Sequence, residues 1–237
     1  MRTKTSYIGI SNRIPYEVLE SSFYFYFKEG HLNKELYLEH ILQFTKGLNR
    51  ANKVLTHLTA VIKRNDSIIN TLKSKLKSDD FFNLPENDRK VLIICLFSLT
   101  FPISYEILSV FATGFKVQPT LNKQLILQKI GAIYGGNRAM HIAVDETIAL
   151  FLECNLIKRE KIGIYSFGQT LPVYNSFINE LVIYTDIKLS NSKTITLSDL
   201  TYKPWFSYFE LSVAPPTNYN TLLIFKDGIV GGGYLTI

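Results

Sequence analysis

Asn122 to Phe167 reads NKQLILQKIGAIYGGNRAMHIAVDETIALFLECNLIKREKIGIYSF, and four segments follow one another in it. A helical stretch from Asn122 to Tyr134 stops at Gly135-Gly136. Asn137 has the short side-chain oxygen that caps a following helix. That helix, Arg138 to Glu153, buries Val144, Ile148, Phe151 and Leu152 by its spacing. Asn155 can end it through a left-handed backbone conformation. From Leu156 onward the pattern is strand, a charged turn containing Gly163, and strand.

Helix, short turn, helix and basic β-hairpin resembles the winged helix-turn-helix family. The resemblance covers about a fifth of the chain, and more if the apolar helices at 86–112 belong to it. It implies that the first turn of the second helix, with Asn137, Arg138 and His141, faces the DNA major groove. Arg138 would bond a guanine edge and Asn137 an adenine. Lys158, Arg159 and Lys161 on the wing would meet backbone phosphates. Asp145 and Glu146 oppose this if they face the DNA. Many winged helices bind protein instead, so a protein-interaction or scaffold subunit is the second reading.

The 237-residue chain carries net charge +6 and a pI near 9.1, which invites a polyanionic partner. The charge is uneven. Residues 46–77 hold Lys46, Arg50, Lys53, Lys63, Arg64, Lys73, Lys75 and Lys77 against Asp66 alone, while residues 171–237 carry −1. A solvated helix face is the ordinary explanation for such a run. A phosphate-contacting stripe is the functional one, and RNA binding through the same helices is a third possibility.

Around this centre, residues 1–14 read as an arm or edge strand. Pro15 to Lys28 is a helix candidate holding five consecutive aromatics, Phe23 to Phe27. Such a run covers every face of a helix, so part of it must meet another element, a partner or a stacked base. A long helical stretch starts near Asn33, with Gly47 able to kink or divide it, and a short amphipathic helix spans Asp66 to Leu76. Glu86 to Leu99 reads as a buried core helix, and Ser104 to Ala112 as another; residues 115–120 read as a loop. Past residue 170, Tyr174 to Tyr184 suits helix or strand, Thr194 to Leu197 suits a strand, and Trp205 to Val213 is β-prone. Asp227-Gly228 signals a tight hairpin between Leu222–Phe225 and Ile229-Val230.

The uncharged segment Val91 to Tyr105 is shorter than a bilayer requires and contains Pro102, so no membrane partner is expected. No signal peptide is recognisable after Met1, and a cytoplasmic protein is expected. Cys95 and Cys154 lie in apolar runs and read as buried thiols. No phosphate-loop, H-E-x-x-H or nucleophile-elbow pattern occurs, and Gly231-Gly232-Gly233 lacks the Lys-Ser/Thr of a phosphate loop. His31, His40 and His57 are not spaced as ligands on one helix. Neither an enzyme nor a cofactor is expected.

A wider resemblance rests on Leu48-Asn49-Arg50…Leu55…Leu58…Ile62-Lys63-Arg64, on Phe101-Pro102-Ile103-Ser104-Tyr105, and on the exit through Leu156-Ile157. In this order of elements, residues 15–167 are similar to the BrxA-like proteins of BREX phage-defence systems. The resemblance implies a small, mostly helical DNA-binding protein, accessory or regulatory within a defence complex. The expected fold is α+β in three parts: a helical, basic N-terminal domain (1–84), a central winged helix-turn-helix (85–170), and a β-rich appendage (171–237). The expected partners are double-stranded DNA and subunits of a defence complex.

Overall fold

A computed structural model describes residues 8–76, 81–135, 138–211, 219–227 and 233–237. The chain is an α+β protein, mostly helical, with small sheets of two or three strands.

Four helices form the N-terminal side: α1 (Tyr16–Glu29), α2 (Lys34–Phe44), α3 (Leu48–Arg64) and α4 (Asp66–Lys75). Gly47 adopts φ +90° and divides the stretch after Asn33 into two helices. The aromatic run of α1 is absorbed within the chain. Phe23, Tyr26 and Phe27 are buried, Tyr24 packs on Phe82, and Phe25 meets Tyr37 and His40 edge-on. Residues 8–14 form no strand; Ile10 and Ile14 are buried, and Ser11 meets the His57 ring.

α5 (Glu86–Thr100) is the core helix, with every residue from Val91 to Ser98 buried. Asn65 pins it to α3, donating from Nδ2 to the Leu96 carbonyl at 3.1 Å and to Thr100 Oγ1 at 2.9 Å. No single helix among the described residues is long and apolar enough to cross a membrane. α5 and α6 (Ile103–Phe115) are apolar enough together but meet at 117°.

Next come β1 (Thr120–Asn122), α7 (Lys123–Tyr134), α8 (Arg138–Glu153), β2 (Ile157–Lys161) and β3 (Ile164–Phe167). The Asn122 side chain caps α7, accepting from Gln124 N at 2.9 Å. Asn155 leaves α8 at φ +60°, as its position predicts. The three strands form an antiparallel sheet in the order β1-β3-β2. β1 lies at the end of the stretch expected to be loop.

The C-terminal third corrects the expectation of a β-rich part. Its longest element is the helix α9 (Ser176–Leu189), which packs against α5. Around it lie β4 (Leu171–Val173), β5 (Thr194–Thr196), the short helix α10 (Asp199–Tyr202), β6 (Phe209–Leu211), β7 (Ile224–Lys226) and β8 (Tyr234–Thr236). β4 pairs with β6 in parallel, and the other three form the antiparallel sheet β5-β8-β7. Trp205 to Tyr208 coil into a 3₁₀ turn. Lys226 pairs with Tyr234; Gly228 and Ile229-Val230 of the expected hairpin lie outside the described residues. Nor is this third an appendage. One cluster of buried side chains runs from Ile10 to Leu235 through all three expected segments.

Two buried carboxylates join these parts. Asp88 at the start of α5 accepts the amides of Tyr174 and Asn175 at 2.9 and 3.0 Å. Glu180 on α9, 2% exposed, accepts three successive amides, Thr221, Leu222 and Leu223, at 2.9, 2.6 and 2.7 Å. Each satisfies backbone donors that helix and sheet leave over.

Candidate nucleic-acid interface

α8 buries one face, Met140, Ala143, Val144, Thr147, Ile148, Leu150 and Phe151, against its neighbours α6 and α7. The opposite face begins with Arg138 and His141, both exposed. Asn137 lies outside the described residues. Asp145, one turn beyond His141, is ion-paired with Lys123, the first residue of α7. Its charge is offset before any ligand arrives. Glu146 is half-buried, and its carboxyl pKa is raised by burial, with Arg50 and Arg13 acting against that shift. It therefore sits on the side of α8 that faces the N-terminal helices. At the far end of α8, Glu153 binds the Arg13 guanidinium and accepts the Tyr16 amide at 2.7 Å.

The β2–β3 hairpin stands beside α8. Lys158, Arg159 and Lys161 are all exposed. Lys158 pairs with Ser166, and Arg159 with Tyr165. Cross-strand partners share a face, so these two cations lie on opposite faces of the hairpin. The Arg159 guanidinium lies 6.0 Å from the Tyr165 ring centroid, and Ser166 Oγ donates to Glu160 at 2.5 Å. The turn is held to the helices, because the Lys123 amide donates to the Gly163 carbonyl at 2.8 Å. A shallow hollow of about 290 Å³ lies between α8 and the hairpin, edged by Lys123, Asp145, Arg159 and Ile162. Lys123 and Ile162 were not among the residues singled out from sequence. Lys123 directly follows the capping Asn122, but only the pairing of β1 with β3 brings it to the hairpin.

The basic stripe divides by role. Lys46, Arg50, Lys53, Lys63 and Lys75 are exposed. Arg64 donates to the Thr100 carbonyl at 3.2 Å, and Lys73 to the Phe27 carbonyl at 2.5 Å. Both cations thus sit at the C-terminal ends of other helices, where free carbonyls favour them. Lys77 lies outside the described residues.

The other candidate groups do not converge. His57 lies edge-on to Phe101, His40 meets Ser21 at 2.6 Å, and His31 contacts the Glu29 carbonyl. Among the described residues no three His, Cys, Asp or Glu side chains are grouped to hold a metal. Cys95 and Cys154 are buried free thiols; burial pushes Cys95 up to about 12. A cleft of about 930 Å³ lies between α6, α7 and α9. Its polar wall is an internal network: Tyr105 donates to buried Asp186 at 2.7 Å, and Lys203 is ion-paired with the same carboxylate.

Comparison with protein-family models, with curated proteins and with solved structures finds no match.

Proposed function

We propose that this chain is a non-catalytic double-stranded DNA-binding protein, with a winged helix-turn-helix running from α6 to β3. The observation that carries this reading is the strand order β1-β3-β2 closing behind α6, α7 and α8. That order sets a basic hairpin beside a helix whose first turns present exposed Arg138 and His141 on one side. Pairing of Asp145 with Lys123 removes the main electrostatic objection on the same face. Lys158, Arg159, Lys161 and the exposed cations of the 46–77 stripe serve phosphates, and Arg138 reads base edges. Within this reading the protein is a cytoplasmic accessory or regulatory component of a BREX-like phage-defence system, as its resemblance to the BrxA-like proteins implies.

Fluorescence anisotropy on a labelled duplex tests this. Binding should weaken steeply between about 50 and 200 mM salt. Arg138→Ala should narrow the gap between preferred and random sequences by about 1–3 kcal/mol. Binding that is indifferent to salt overturns the reading.

A protein-interaction subunit is favoured by a different observation. Leu42, Phe44 and Leu48 are exposed together at the α2–α3 junction. Co-purification with a protein neighbour that survives nuclease, without duplex binding, supports that alternative.

A further inference from the structure

Ile162 is 97% exposed at the tip of the β2–β3 hairpin. Its side chain edges the hollow beside α8 but is otherwise open to solvent. The apolar residues that hold the hairpin to the core are others, Ile157 and Tyr165, both buried. A β-branched residue is also a poor local choice for a turn corner, where Asn, Asp, Ser or Gly would serve. The chain makes the turn at Gly163, whose φ of +73° an L side chain rarely adopts. Ile162 is therefore not needed to shape it.

The surroundings say what the side chain meets. Lys161 precedes it, Lys158 lies on one face of the hairpin, and Arg159 lies on the other. An apolar tip with cations on both flanks matches a groove that has an apolar floor of stacked bases and sugars and a phosphate strand on each side. The tip is also tied to α7, because the Lys123 amide donates to the Gly163 carbonyl at 2.8 Å.

We propose that Ile162 is a wedge that the wing drives into the DNA minor groove, partly unstacking one base step. This deepens the DNA-binding reading and rests on it. Apolar wedges of this kind unstack and kink duplexes at flexible steps. Pyrimidine–purine steps such as TA and CA open most easily, so the wing selects them without a hydrogen bond to any base.

The test uses the full chain and short duplexes with 2-aminopurine beside a central TA step. Wild type should bind and raise the 2-aminopurine fluorescence, and should bind a stiff A-tract duplex more weakly. Ile162→Ala should bind about tenfold more weakly, without the fluorescence rise. Its salt dependence should be unchanged, because no phosphate contact is lost. Ile162→Leu should restore both signals. Its side chain faces solvent, so the alanine variant should melt with the wild type. If wild type binds duplex but Ile162→Ala matches it in affinity and fluorescence, the wedge is overturned and DNA binding stands. Wild type that binds without unstacking has the same consequence. If wild type binds no duplex even at low salt, the DNA-binding reading falls and the wedge falls with it.

Discussion

Replacing Glu180 with alanine should loosen the C-terminal end of the protein selectively. From the second turn of α9 the carboxylate accepts three amides, those of Thr221, Leu222 and Leu223. Hydrogen bonds to a charged group contribute about 1.5–3 kcal/mol each, and a buried donor left unpaired costs about 1–3 kcal/mol. Thr221 and Leu222 are half-buried, so water can reach their amides once the carboxylate is gone; Leu223 is buried and its amide stays dry. About 1 kcal/mol for each of the first two and about 2 kcal/mol for the third gives a loss of about 4 kcal/mol. For a chain of this size that lowers Tm by about 8–16 °C. Glu180→Gln keeps one acceptor oxygen and should lose roughly half as much. Urea denaturation followed by circular dichroism measures the totals. Hydrogen exchange locates them: residues 219–227 and the strand Tyr234–Thr236 should exchange much faster, while α5 keeps its protection. A total loss below about 1 kcal/mol, or a loss of protection spread evenly over the helices, would refute the assignment of Glu180 as the anchor.

Two further outcomes are expected. Substituting Lys158, Arg159 and Lys161 together by alanine removes up to three phosphate contacts, which should flatten the log–log salt slope of duplex binding by about 2.7 and weaken binding about 500-fold near 0.1 M salt; a slope change below about 1 removes the wing from the interface. His40 and His57 are both held below the ordinary histidine pKa, in each case by burial and for His57 also by Lys53. The unfolded chain therefore binds more protons near pH 6, so stability should fall as pH drops from 6.5 toward the lowered folded values. Melting at pH 7.5 and 5.5 should show this, and the double substitution His40→Gln/His57→Gln should shrink the difference; an unchanged difference would show that other groups cause it.

The stretch from Asn122 to Phe167 was readable because its elements are half-buried and carry their own punctuation. α7 and α8 have one buried face and one exposed face, so the apolar spacing shows through. Asn122 begins α7 and Asn155 ends α8 by side-chain and backbone preferences that need no distant partner. α9 is different. Its residues are buried on nearly all sides, with Asn179, Glu180 and Asp186 inside. A helix surrounded by protein has no polar face to alternate with its apolar one, so its periodicity vanishes and strand and helix look alike. β1 is three residues long and owes its existence to pairing with β3, more than forty positions away.

The basic residues divide in the same way. Their number and clustering are properties of the chain alone, and these pointed to a polyanionic partner. Which cations remain available is a tertiary matter. Arg64 and Lys73 are used by the carbonyls that end α5 and α1, and Lys123 is used by Asp145. The sequence by itself determined the order of two helices followed by a hairpin, the buried thiols, the core helix α5 and the concentration of charge, because each depends on local spacing or composition. Only the tertiary structure decided that α9 is a core helix, that the last third shares one interior with the rest, and that Ile162 is left exposed at the tip of the β2–β3 hairpin. Those facts depend on contacts between residues far apart in the chain, which no local pattern encodes.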